Sequence, residues 1–271
     1  MLLAYGLTDK GHVRPTNEDC FAVHESLGLC VVADGMGGHN AGEVAARLAV
    51  DAVVDFVAER TRLRWLDSES VGGAGGAEAA GERQDAWPFG YDHALSADGN
   101  LLRTAVHLAN VRILEAAIAA DHYAGMGTTI VAARAAAGRL TVAHVGDSRL
   151  YVMAHRTLRQ MTRDDSWMAS LLAHDPEADP LLMMHHPLRN ALTNVVGARP
   201  RTDVHVAEET LTGGELLLLS TDGVHGVLDD ARLERLLLED EDPRTIARAV
   251  LATALTRGSR DNCTAVVARY T

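Results

Sequence analysis

Two apolar runs in this chain end in the same way, and that repetition constrains the fold more than any other feature. Leu29-Cys30-Val31-Val32-Ala33 passes directly into Asp34-Gly35, and Leu216-Leu217-Leu218-Leu219-Ser220-Thr221 passes directly into Asp222-Gly223. Short, continuously apolar runs of this kind read as buried strands, so each delivers a carboxylate where a strand emerges. The reverse order also occurs. Asn17-Glu18-Asp19 precedes the strand-like run Phe21 to His24, and Asp261-Asn262 precedes Thr264 to Ala268. If consecutive strands pair antiparallel, the start of one lies beside the end of its neighbour, which puts Glu18 and Asp19 at the same end as Asp34. Asp147 adds another acid in the turn Val145-Gly146-Asp147-Ser148-Arg149.

Taken singly, an Asp-Gly is most often a turn, because Gly supplies positive φ and Asp caps it. Two strand-then-Asp-Gly elements together with two acid-then-strand elements point instead to five or six carboxylates converging at one sheet edge. Such groups repel, and multivalent cations held by hard oxygen ligands are the usual compensation. Mg²⁺ or Mn²⁺ is expected rather than zinc. The glycines of Asp34-Gly35-Met36-Gly37-Gly38-His39 would let backbone carbonyls approach a ligand.

Helical periodicity covers Gly42 to Ala58 and Leu101 to Ala120. Further strand-like runs lie at Thr129 to Ala133, Leu140 to Val145, Leu150 to Met153 and Glu215 to Leu219. Strands predominate, with helices in pairs between them, an order that favours antiparallel sheets flanked by helices over a doubly wound parallel sheet. Residues 68–100 read as an insertion: a flexible Gly/Ala-rich loop, then Trp87-Pro88-Phe89-Gly90-Tyr91, which serves either packing or docking. A single domain over residues 1–271 is expected.

With 25 Lys+Arg against 37 Asp+Glu, the net charge of −12 argues against a general affinity for nucleic acid or anionic lipid. The opening Met1-Leu2-Leu3-Ala4-Tyr5-Gly6 has no basic segment followed by an apolar stretch, and no run approaches the roughly 20 apolar residues of a membrane span. The chain stops at Tyr270-Thr271 just after the last strand-like run, and no receptor or targeting domain is expected. Cys20, Cys30 and Cys263 are an odd, widely spaced set in apolar contexts, read as reduced thiols of a cytoplasmic protein. The thirteen histidines show no paired metal spacing.

The sequence resembles the bacterial metal-dependent serine/threonine phosphatases of the PPM class, the protein phosphatase 2C family. The resemblance rests on six blocks in the family's order, spread over the chain. They are Asp9 to Asp19, Ala33 to His39, Gly125-Met126-Gly127-Thr128-Thr129, Val145 to Arg149, Ser220-Thr221-Asp222-Gly223 and Asp261-Asn262-Cys263-Thr264. It implies an α+β fold, a four-layer α-β-β-α sandwich of two packed antiparallel sheets flanked by helix pairs. It also implies a site in the cleft between sheet ends. By that likeness Asp34 bridges two ions, the Gly35 carbonyl and the Glu18/Asp19 pair serve the second ion directly or through water, and Asp222 and Asp261 hold the first. Asp147, with Asp222, matches the place of a weaker third ion.

Such a layout hydrolyses phosphoserine or phosphothreonine by direct attack of a metal-bridging water, with no phosphoenzyme. Arg14 matches the phosphate-binding arginine, whose planar fork suits two phosphate oxygens; its other reading is a surface salt bridge. His39 is a candidate acid for the leaving oxygen, or a partner of a bound water, or structural, since Met36 stands where eukaryotic members carry histidine. Residues 162–201 resemble the family's flap, with one departure: Asp165 occupies the place of a histidine. His185 and His186 in that segment read as loop histidines rather than ligands. The implied partners are phosphoproteins and a cognate serine/threonine kinase, with no nucleic acid or membrane, and a monomer is the expected state. Two other classes stay open on the residues alone: a binding module without turnover, and another two-metal hydrolase such as a nuclease or small-molecule phosphatase.

Overall fold

The apolar runs form strands of two antiparallel sheets in the computed structural model, which describes residues 1–38, 41–70, 87–175, 186–189, 191–239 and 242–271. In chain order the strands are β1 (Leu2–Asp9), β2 (Asp19–His24), β3 (Leu29–Met36), β4 (Gly127–Thr128), β5 (Ile130–Ala136), β6 (Arg139–Val145), β7 (Arg149–Ala154), β8 (Thr157–Gln160), β9 (His205–Thr210), β10 (Leu216–Ser220) and β11 (Cys263–Tyr270). One sheet has the order β1-β11-β10-β7-β8 and the other β2-β3-β5-β6-β9, with β4 paired to β3. The helices are α1 (Ala41–Ser70), α2 (Ala97–Ala119), α3 (Trp167–His174), the short α4 (Asp222–His225), α5 (Asp230–Leu238) and α6 (Pro243–Thr256). None of them is long and apolar enough to cross a membrane.

Strand alternation sorts the core into three layers. On β3, Leu29, Val31 and Ala33 pack against α1 and α2, while Cys30 and Val32 face the opposite sheet. On β10, Leu216 and Leu218 face α5 and α6, while Leu217 and Leu219 meet Val32, Val131 and Val142 across the sheet interface. Both faces of these strands are therefore apolar, which is why the sequence shows continuous runs rather than alternation. At roughly 1.5–3 kcal/mol per fully buried aliphatic side chain, this packing fixes the strand ends that carry the acids. All three cysteines are free, and burial pushes the Cys30 thiol up to about 12.

Several boundaries differ from the sequence reading. Helix α1 continues to Ser70 instead of ending near Ala58, and α2 begins at Ala97, where the Ser96 hydroxyl accepts the Gly99 N–H at 3.1 Å. Both ends of the expected 68–100 insertion are thus helical; the Gly/Ala-rich loop reading falls on residues 71–86, outside the described residues. Trp87 is only 4% exposed, joins the α1/α2 core, and meets Tyr91 edge-on at 5.3 Å with the Arg60 guanidinium 5.5 Å from its ring. That favours packing over docking. Within residues 162–201, α3 is capped by the Ser166 hydroxyl, which accepts the Ala169 N–H at 3.1 Å. His186 stacks on Trp167 at 4.0 Å, and His185 lies outside the described residues.

Candidate metal centre

The β2–β3 register pairs Asp19 directly with Asp34, as antiparallel pairing requires. In the other sheet, Ser220 of β10 faces Ala265 of β11, which brings Asp222 and Asp261 to a common end. The Gly146-Asp147-Ser148 segment is not a hairpin turn. It carries the chain from β6 in one sheet to β7 in the other, and so sets Asp147 at the seam. A cavity of about 240 Å³ opens there, lined by Arg14, Glu18, Asp34, Gly35, Asp147, Asp222 and Asp261 among others. Asp19 sits behind this wall, 8% exposed.

Neither Asp-Gly is a turn. Gly35 lies within β3 and Gly223 within α4, both outside the positive-φ region. Their lack of a side chain answers close backbone approach instead: a Cβ at Gly35 would lie 2.0 Å from the Gly42 carbonyl oxygen, and one at Gly223 would lie 1.9 Å from that of Asn262. Each glycine lets a second segment of the site press against the strand end.

Polar neighbours orient the acids. Thr221 and Thr264 both donate hydroxyls to Asp19 Oδ2, at 2.9 and 2.6 Å, while Asp19 Oδ1 is buried without a partner. Asp222 Oδ1 is likewise buried and unpartnered. The Asp34 backbone N–H donates to Thr129 Oγ1 at 3.0 Å, and Thr128 Oγ1 donates to the Asp34 carbonyl at 2.8 Å. Asn262 pins the loop that bears Arg14 and Glu18: its Oδ1 accepts the Glu18 N–H at 2.8 Å, and its Nδ2 donates to the Lys10 and Thr16 carbonyls, both at 2.9 Å. Thr128, Thr129, Thr221, Asn262 and Thr264 stand within the sequence motifs, where nothing in the residue pattern assigns them a role. Their only advance signal was adjacency to the acids.

The electrostatics follow from crowding. Burial, then the charges of Asp19, Asp222, Asp147 and Asp261, push the Asp34 carboxyl well above its ordinary range. Burial raises Asp19 and Asp147 each to about 7, and raises Asp222 and Glu18 as well. Like charges crowded in this way call for a proton or a cation between them. Among the described residues no three acidic, imidazole or thiol side chains close on one point as a finished ligand set. The acids ring a cavity instead, leaving room for waters, as a hard cation such as Mg²⁺ retains. Orphaned buried carboxylate oxygens and an all-oxygen donor set fit a divalent ion of that type.

Arg14 is half-exposed and its Nη2 donates to Asp261 Oδ2 at 2.6 Å. The phosphate-arginine and salt-bridge readings thus meet in one residue, at the cavity wall. His39 lies outside the described residues.

Asp165, the departure from the family pattern, is a junction. Its Oδ2 accepts the Gly146 N–H at 3.0 Å and Asn194 Nδ2 at 2.8 Å, and its Oδ1 meets His205 Nε2 at 2.9 Å. Its backbone N–H donates to the Gly146 carbonyl and its carbonyl accepts the Thr193 N–H. The residue before Asp147 is therefore clamped to the 191–205 segment. Asp165→Ala is expected to cost about 2–3 kcal/mol by orphaning these donors, and Asp165→Asn under about 1 kcal/mol, read by urea denaturation; equal costs would contradict the clamp.

A family model for protein phosphatase 2C matches residues 12–255. The serine/threonine phosphatase Stp of Listeria welshimeri is 31% identical over 263 residues, 96% of this chain and 92% of that protein. Among solved structures, the Mycobacterium tuberculosis serine/threonine phosphatase PstP/Ppp aligns with a TM-score of 0.79 at 26% identity, covering 99% of this chain and 98% of that one. The catalytic domain of PstP in complex with two manganese ions aligns with a TM-score of 0.75 at 27% identity, covering 99% and 97%. With the family model spanning residues 12–255 and both sheets aligning with solved relatives, the chain belongs to the protein phosphatase 2C family.

Proposed function

We propose that this protein is a phosphatase that hydrolyses phosphoserine and phosphothreonine on proteins, with Mn²⁺ or Mg²⁺ held by Asp34, Asp222 and Asp261 and, directly or through water, by Glu18, Asp19 and the Gly35 carbonyl. One observation carries the reading: acids from both sheets meet in a single cavity with orphaned buried oxygens, beside an arginine. Divalent cations bound there lower the pKa of a water and offset charge on a transferring phosphoryl group. The chain's residues do the rest. Thr128 and Thr129 hold the backbone of Asp34, and the Asn262 clamp sets the loop so that the Arg14 fork reaches two phosphate oxygens. Asp147 offers a further carboxylate for a weaker third ion.

A kinase-opposing role, a cytoplasmic setting and a monomeric state belong to the same reading, the cytoplasmic setting resting on the three free cysteines. The test is phosphate release from a phosphothreonine peptide. Release with Mn²⁺ and none with EDTA is expected; folded protein that releases nothing with Mn²⁺ overturns the proposal.

A further inference from the structure

Leu192 is a partition. On one side it lines the acidic cavity, and on the other it lines a second pocket of about 130 Å³ with Thr193, Asn194, Arg199, Arg201 and Asp203. That space is about ten times the roughly 10–15 Å³ one water centre needs. It suits a small polar group with some of its hydration.

The pocket is rigidly built. Asn194 Nδ2 donates to Asp165 Oδ2 and to the Asp203 carbonyl at 2.7 Å, and Asn194 Oδ1 accepts the Thr202 hydroxyl at 2.9 Å. From α2, Asn110 accepts the Gly197 N–H at 2.7 Å and donates to the Arg199 carbonyl at 3.0 Å. The backbone under both arginines is thereby held. Their guanidiniums are another matter: both residues are exposed, and neither side chain has a hydrogen bond or ion pair among the described residues. Two exposed cations, each without a side-chain partner among the described residues, thus share one preorganised polar pocket. Asp203 offsets one of them, so the pocket carries about one net positive charge.

We infer that this pocket is a subsite for an anionic side chain of the substrate, a carboxylate or a second phosphate flanking the target phosphoresidue. The inference rests on the phosphatase reading. The cavity would take the scissile phosphate while Arg199 and Arg201 take the flanking anion through charge-assisted hydrogen bonds. Specificity would then come from residues that touch no reacting atom, and the pocket should act on KM rather than kcat.

The test uses fluorescein-labelled phosphothreonine peptides whose flanking positions carry Asp/Glu, phosphoserine or Ala. Anisotropy reads their binding to the wild type and to Arg199→Gln/Arg201→Gln, and turnover is measured on the same peptides and on an aryl phosphate. Acidic or doubly phosphorylated peptides are expected to bind the wild type about tenfold tighter than the Ala peptide. The double variant should lose that preference while its aryl phosphate turnover stays unchanged. The Asp/Glu and phosphoserine arms distinguish the two anions. A wild type indifferent to flanking charge, or a preference that survives in the double variant, overturns the subsite. Absence of aryl phosphate turnover in the wild type would count against the phosphatase reading instead, and the binding comparison would still decide the subsite.

Discussion

Replacing Asp34 by Asn is expected to remove metal-dependent turnover while making the chelated protein more stable, two effects of opposite sign from one carboxylate. Asp34 faces the charges of Asp19, Asp222, Asp147 and Asp261, all of which resist its ionisation. An isosteric amide relieves that repulsion, and the hydrogen bonds that hold residue 34 survive because they use its backbone: the N–H to Thr129 Oγ1 and the carbonyl from Thr128 Oγ1. The same change deletes the proposed central ligand. A loss of roughly 10³-fold in kcat/KM is expected, the effect of removing a few kcal/mol of transition-state charge stabilisation. The melting temperature in EDTA should rise by about 2–5 °C, because a chain of this size moves about 2–4 °C per kcal/mol. Turnover within tenfold of wild type, or a lower melting temperature in EDTA, would refute the assignment. Acids kept at a cost to stability are what a functional site shows.

The second large effect is a stability that falls with pH in EDTA and is restored by Mn²⁺. Asp19 and Asp147 have ordinary values of 3.8 and are raised to about 7 in the fold. Between those limits the folded state keeps protons that the unfolded chain has released, so the stability these groups contribute is fully present below about pH 4 and is lost as pH rises through about 7. Each pKa unit is worth about 1.4 kcal/mol, which makes the total several kcal/mol across the window. A cation competes with those protons, so its stabilisation should be small at pH 5 and large at pH 7.5. At 100 times the dissociation constant it amounts to about 2.7 kcal/mol, or about 5–10 °C. Calorimetric scans with EDTA and with Mn²⁺ at both pH values measure this. An EDTA melting temperature that climbs from pH 5 to 7.5, or equal Mn²⁺ shifts at both, would contradict it.

What the sequence made legible was the part of the site built on strand ends. Strands β3 and β10 are buried on both faces, so their runs are continuous and their terminal acids stand out. Strand β1 is hidden in the sequence because Gly6 interrupts it and only Leu2 is buried. Strands β8 and β9 are polar sheet edges, TLRQ and HVAEET, without alternation clean enough to read. Helices α5 and α6 did carry start signals, the capping residues Asp229 and Asp242 with Pro243 at the first turn. Their apolar stripes are short and lie between stronger features, which hides them in the sequence. The support of the acids was less accessible still. Asn262 reaches Lys10 and Thr16 across about 250 positions, a contact that only the packed sheets create.

Strand β11 lies between β1 and β10, and it has a consequence for how the protein comes into being. A ribosome must release residues 261–270 before β1 finds its partner at the register Leu2 to Tyr270. Until then the growing chain holds one sheet without the strand that joins β1 to β10, and a cavity without Asp261. Pairings so distant in sequence form slowly, so competence should arrive late and all at once, after synthesis has passed the final strand. A partly made copy would be a ward for chaperones rather than a weak enzyme.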